Sequence, residues 1–246
     1  MKKLLKYFLV ASLCLLSTST NIAHAEKVYK PDAPVEKVSK SLSVVERKVR
    51  GAAVKVVTGS GHGSGTVIQY KDLTLVLTAK HVADGVLGSS YLVANKDEQR
   101  NSILIYQSRE HDIAVLLVQT EFRYLKPMPW KPTKNYDVGT DIVYSGHPSW
   151  HKLMSFEGRI AGYEQDPVAG TQLIVNTYGW FGCSGSGIYN TDGELIGILY
   201  GVDVQYAYGA QIQENMIWVA PIKNININTA LDAFCRGSIK NYKACK

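Results

Sequence analysis

The spacing of apolar and polar positions changes near Gly51. Before it, Val35, Val38, Leu42, Val45 and Val49 recur every three or four residues, which predicts a short amphipathic helix over Val35 to Val49. After it, short runs rich in β-branched residues are separated by Gly, Asp, Asn and Pro. Ala53 to Thr58, Ser64 to Tyr70, Leu73 to Thr78, Ser102 to Tyr106 and Ile113 to Val118 read as strands. Lys126 to Thr133 carries prolines and interrupts the series. Beyond it, Asp141 to Ser145, Ser155 to Tyr163, Gln172 to Thr177, Leu195 to Tyr200 and Met216 to Val219 resume it, and Ile222 to Phe234 is expected to close the chain as a helix. Many short strands with turn residues between them predict an all-β protein, a barrel or a sandwich.

The first 25 residues follow a different logic. Lys2, Lys3 and Lys6 precede an apolar run from Tyr7 to Leu16, and the segment ends in Ala23-His24-Ala25. A basic head, a short apolar middle and an A-x-A end predict a secretory signal peptide, cleaved after Ala25. The run is too short to span a bilayer, and Leu13 stands before Cys14 where a lipoprotein signal wants a small residue. The expected organisation is a signal peptide at 1–25, an N-terminal tail and helix at 26–50, β units at 51–125 and 126–222, and a C-terminal helix and tail at 223–246. The expected location is secreted or periplasmic, with no stable membrane association after cleavage.

Composition narrows the classes. With 46% hydrophobic and 20% charged residues, neither disorder nor an all-helical membrane protein fits. Three of the 27 Lys and Arg lie in the signal segment, leaving 24 against 21 Asp and Glu. That bias is too weak to suggest nucleic-acid binding. Cys235 and Cys245 flank a short polar loop, so an exported compartment would allow a bridge there and leave Cys183 as the odd thiol. No C-x-x-C spacing points to zinc.

Candidate chemistry concentrates in Gly182-Cys183-Ser184-Gly185-Ser186-Gly187. A serine hydroxyl needs a base to become a nucleophile, and backbone N–H groups to hold the oxyanion that forms. A glycine-flanked turn exposes the hydroxyl and offers such amides, here those of Gly182 and Ser184. Chain order restricts the partners. All six histidines (24, 62, 81, 111, 147 and 151) precede Ser184, whereas α/β-hydrolases and papain-like enzymes place the histidine later. The order His…Asp…Ser is left. His81 follows the apolar run Val76-Leu77-Thr78, and Asp112 opens Ile113-Ala114-Val115-Leu116-Leu117-Val118. Ser186 is the rival nucleophile. His111 reads as a surface group. His147 and His151 are four apart, but Pro148 argues against a helical metal pair, and both are expected at the surface.

Thr78-Ala79-Lys80-His81-Val82, His111-Asp112-Ile113-Ala114-Val115-Leu116 and Gly182-Cys183-Ser184-Gly185-Ser186-Gly187, in that order, resemble the signatures of trypsin-like serine proteases. The likeness is to the bacterial branch of glutamyl endopeptidases, exfoliative toxins and Htr-type proteases. Gly63-Ser64-Gly65-Thr66-Val67-Ile68, Ser145-Gly146-His147-Pro148, Ile188 to Ile198 and Glu214 to Ile222 match further segments of that branch. The resemblance implies two six-stranded antiparallel β-barrels of the chymotrypsin type, with short terminal helices. It implies a serine endopeptidase with His81, Asp112 and Ser184 as catalytic triad, an oxyanion hole at Gly182 and Ser184, a polypeptide substrate and no cofactor or metal. Tyr178, Gly179, Trp180, Phe181, Leu199 and Tyr200 fall at the substrate pocket. Gly179 and Leu199 stand where glutamyl endopeptidases place a pocket Thr and His, so small or apolar side chains are expected rather than Glu. Cys183 replaces the Asp or Asn of relatives, so activation by a new N-terminus is not expected. A catalytically silent or latent binding protein on the same fold is the alternative.

Overall fold

The computed structural model describes residues 38–206, 209–236 and 245. The signal peptide and tail expected before residue 38 lie outside the described residues. Helix α1 spans Val44–Ala52, starting later than the apolar spacing suggested. Its start is set by Ser43, whose hydroxyl accepts from the Glu46 amide while the Glu46 carboxylate accepts from the Ser43 amide. This reciprocal cap satisfies two otherwise orphaned donors.

Six antiparallel strands follow: β1 (Ala53–Val57), β2 (His62–Tyr70), β3 (Leu73–Thr78), β4 (Ser90–Ala94), β5 (Gln99–Gln107) and β6 (Ala114–Val118). They pair in the order β1-β4-β5-β6-β3-β2, and β1 pairs again with β2, closing a barrel. A two-residue strand, β7 (Met128–Pro129), runs parallel to β2. The second barrel comprises β8 (Asp141–Gly146), β9 (Met154–Asp166), β10 (Gly170–Asn176), β11 (Gly187–Asn190), β12 (Leu195–Gln205) and β13 (Gln211–Pro221), closed in the order β10-β13-β12-β11-β8-β9. A 3₁₀ turn at Ile222–Asn224 separates β13 from helix α2 (Ile227–Arg236), so the closing helix starts five residues later than the sequence suggested. The fold is two six-stranded antiparallel barrels with two short helices.

Side-chain alternation explains how both barrels close over apolar interiors. Val54, Val56, Val67, Val76, Leu104 and Leu116 point into the first, and Ile142, Tyr144, Ile160, Leu173, Val175, Ile188 and Val219 into the second. Leu75, Leu77, Ile103, Val115, Tyr189, Leu195, Ile198, Ile222 and Phe234 belong to a third cluster. Its members come from outer faces of both barrels and from α2, so β3 and β6 are buried on both sides. This is why β6 reads as an unbroken apolar run and β3 as an apolar run interrupted only by threonine. In the same seam the Thr66 and Tyr189 hydroxyls share a buried 2.9 Å hydrogen bond. The Cys235–Cys245 disulfide forms, and Cys183 is a free buried thiol.

Candidate active site

Strand register brings His81 and Asp112 together. Thr78, at the end of β3, pairs with Ala114, at the start of β6. His81 is three residues beyond one end and Asp112 two residues before the other. A tight turn, with Val82 and Ala83 N–H both donating to the Ala79 carbonyl, fixes the approach of His81. The imidazole Nδ1–H donates to Asp112 Oδ2 at 2.7 Å, and the His81 backbone N–H donates to Oδ1 at 2.9 Å. Burial alone would push the Asp112 carboxyl up; the hydrogen bonds from the His81 ring and backbone and from the Lys80 backbone outweigh it and hold the group below the usual carboxylate range. With Nδ1 donating, Nε2 is the ring nitrogen left to accept a proton.

Ser184 lies on a loop wedged between the barrels. Trp180 to Cys183 form a turn closed by the Cys183 N–H on the Trp180 carbonyl at 2.9 Å, with Gly182 at φ +93°. Phe181 is not among the left-handed residues, so this is a type II turn, which needs glycine at its third position. The Ser184 hydroxyl donates to the Tyr200 carbonyl at 3.3 Å. No hydrogen bond joins it to His81. Gly185 permits the closest approach: a Cβ there would collide with the Ser64 carbonyl and with Thr78 Oγ1, at the end of the strand that leads to His81. Among the described residues, neither the Gly182 nor the Ser184 amide donates to any acceptor. Two unspent N–H groups on either side of one residue, next to a hydroxyl, form an anion-binding notch.

Other candidates are distributed unequally. Ser186 is fully buried, whereas Ser184 is partly exposed, so only Ser184 offers a hydroxyl to an incoming molecule. Burial pushes the Cys183 thiol up, which keeps it protonated. The Tyr144 hydroxyl, buried inside the second barrel, donates to the Tyr178 carbonyl and lies 3.9 Å from Cys183 Sγ. It thereby fixes the loop from below. Tyr178 is exposed and stacks on Phe156, and Phe181 is 65% exposed. Gly179 leaves room for Ile217 and Val202, which a Cβ would crowd. Leu199 places its side chain in the second-barrel core, while its carbonyl accepts from Gly185 N–H and its own N–H donates to Ser186. Tyr200 is half-buried against the shared seam and the first-barrel core; desolvation first, then the charges of Asp166 and Asp112, push its phenol up. His111 and His147 are both 6% exposed, which corrects their placement at the surface: His111 is buried within the β5–β6 loop, its backbone N–H donating to Ser108 Oγ, and His147 follows β8 toward the first barrel, where its backbone N–H donates to Ser64 Oγ. His151 is exposed as expected.

The Gly63-Ser64-Gly65 and Gly146-His147-Pro148 segments, to which residue order assigns no chemical role, both touch the Ser184 loop.

Comparison with known proteins agrees with the two-barrel fold. The family model for the trypsin-like peptidase domain matches residues 63–198. No curated protein sequence matches the chain. Among solved structures, the protease Rv3671c from M. tuberculosis is similar in its inactive form (TM-score 0.60, 20% identity, 84% of this chain and 100% of that one). It is equally similar in its active form (TM-score 0.61, 18% identity, 87% and 99%). The HtrA-type protease AlgW, solved with a tripeptide, is similar at TM-score 0.59 and 19% identity over 73% of this chain and 59% of that one. The matched family model spans more than half of the chain and covers His81, Asp112 and Ser184, and the chain belongs to the trypsin-like peptidase family.

Proposed function

We propose that the protein is an exported serine endopeptidase that cleaves polypeptides through an acyl-enzyme, with His81 as base, Asp112 as its orienting carboxylate and Ser184 as nucleophile. One observation carries the reading. Asp112 orients the His81 imidazole three residues past Thr78, and the Ser184 loop, whose Gly182 and Ser184 amides have no acceptor among the described residues, approaches Thr78 through Gly185. His81 Nε2 takes the Ser184 proton as Oγ attacks the peptide carbonyl. The Gly182 and Ser184 N–H groups receive the oxyanion, and His81 passes its proton to the leaving amine. Water then repeats the sequence on the acyl-enzyme. Under this reading the substrate side chain lies beside Tyr178, Gly179, Phe181 and Tyr200; Ile217 and Val202 crowd Gly179 and Leu199 is buried in the core, which favours a small or apolar side chain. Export rests on the pattern of residues 1–25, and the Cys235–Cys245 bridge fits an oxidising compartment.

The test is labelling of the purified protein with a fluorophosphonate probe beside Ser184→Ala. Labelling that disappears in the variant is expected, followed by casein turnover that the same substitution abolishes. A folded wild type that takes no label would sink the proposal and favour a binding protein built on the protease fold.

A further inference from the structure

The carbonyls of the nucleophile loop are all engaged, and that leads to one side chain. The Phe181 carbonyl accepts from Ser149 N–H at 2.6 Å, and the Cys183 carbonyl from Ser186 N–H at 3.0 Å. The Gly182 carbonyl accepts from Ser64 Oγ at 2.7 Å, and the Ser184 carbonyl from Ser64 N–H at 2.7 Å. In a trans peptide the N–H points opposite the carbonyl that precedes it. Fixing the Phe181 carbonyl on Ser149 therefore aims the Gly182 N–H the other way, and the tie at Gly182 prevents that residue from turning its own carbonyl into the notch. The competing state of a glycine turn, with one peptide flipped, would replace a donor with an acceptor where the oxyanion is to sit.

Ser64 joins these ties. Its hydroxyl donates to Gly182 and accepts from His147 N–H at 2.9 Å, so one buried oxygen bridges the loop and the His147–Ser149 segment that holds Phe181. Ser149 itself adopts φ +50°, a conformation unusual for serine. His62 braces the same segment, its Nε2–H donating to the His147 carbonyl at 3.1 Å. Ser64 is on β2 of the first barrel; every group it bonds through its side chain belongs to the second. Its backbone also lies where Gly185 makes its closest approach.

We propose that Ser64 is a positioning residue that keeps the oxyanion notch open, acting through the Gly182 carbonyl and the His147 amide rather than by touching substrate. The role rests on the proposed peptidase mechanism and adds a residue to it. Alanine would leave a part-buried carbonyl and a buried amide unpaired and free the turn to flip. Ground-state binding would be untouched, because Ser64 has no exposed surface.

The experiment measures fluorophosphonate inactivation of the wild type, Ser64→Ala, Ser64→Cys and Ser64→Thr as separate kinact and KI values. In that reaction Ser184 Oγ bonds to phosphorus, fluoride leaves, the serine proton passes to His81, and the phosphoryl oxygen occupies the notch. Ser64→Ala is expected to lower kinact roughly 10- to 100-fold with KI within about twofold. Ser64→Thr keeps the hydroxyl and retains most of the rate. Ser64→Cys fills the space with a weak donor and falls between, which keeps the test decisive if the alanine variant does not fold. A folded Ser64→Ala or Ser64→Cys with wild-type kinact, a loss confined to KI, or a folded Ser64→Thr as slow as Ser64→Ala overturns the role. A labelled wild type beside an undiminished variant overturns this role alone; an unlabelled wild type removes it together with the proposed function.

Discussion

Asp112 receives both the ring and the backbone N–H of His81, so it fixes the orientation of the imidazole and the tautomer at once. Asparagine could still accept at one oxygen but would present an amide donor to the other nitrogen, favouring the wrong tautomer. Under the proposed mechanism, Asp112→Asn is expected to lower kcat by about four orders of magnitude with little change in thermal stability, read by peptidase kinetics beside a melting curve. The carboxyl's lowered pKa also sets a sign. The stabilisation that it contributes is complete above the ordinary carboxylate range and is lost as pH falls through its depressed folded value. Much of this was legible in residue order: a histidine after one apolar run, an acid before another, and a glycine-bracketed serine. Ser64 was visible too, between two glycines, but its importance was not. A serine in a strand gives no local sign that its hydroxyl will meet a carbonyl 118 positions away.

At the scale of elements, the apolar runs of β3 and β6 announced themselves because both faces are buried. β4 and β11 were less legible. β4, Ser90–Ala94, is only five residues with an exposed serine, and β11, Gly187–Asn190, hides in the glycine-rich tail of the nucleophile motif. The first helix was displaced because valine spacing alone cannot place a boundary that a capping serine decides. The long connection after β6 shows how a polar residue stabilises what strands cannot. Glu98, 8% exposed, accepts the backbone N–H groups of Arg123, Tyr124 and Leu125 at 2.8 to 2.9 Å and pairs with Arg100 at 2.5 Å. Burial would raise its carboxyl, but the three amides and Arg100 together hold it below its ordinary value. Glu98→Gln removes the charge and one acceptor from this set, and a loss of about 2 kcal/mol is expected, seen as a lowered midpoint in urea without a change in slope.

The whole molecule is two closed barrels pressed on a shared apolar seam, and its acid tolerance follows from what that seam encloses. Burial, reinforced by Lys55, His62 and Arg50, holds the His147 pKa down to about 3. The unfolded chain binds a proton at His147 near the ordinary value of 6.5 and the folded protein does not. The stability due to its neutral burial is therefore full above 6.5 and declines as pH falls toward 3. His147→Phe keeps the backbone bonds and removes the titration, so its acid unfolding midpoint, followed by circular dichroism, is expected at lower pH than that of the wild type. The barrel architecture itself could be foreseen from strand count and turn spacing together with the motif resemblance. The seam's buried histidine could not, because nothing in the alternation of a single strand reveals what the opposite barrel will cover.

The ties that shape the notch have a consequence for folding. The donor to the Gly182 carbonyl comes from the first barrel and the donor to the Phe181 carbonyl from the second. Neither barrel alone carries the full set. Under the proposed mechanism, labelling of Ser184 thus reports on the docking of two halves rather than on the formation of either. Under the proposed mechanism, a chain whose barrels have each closed but have not yet seated against one another would possess nearly all of its secondary structure and no formed notch.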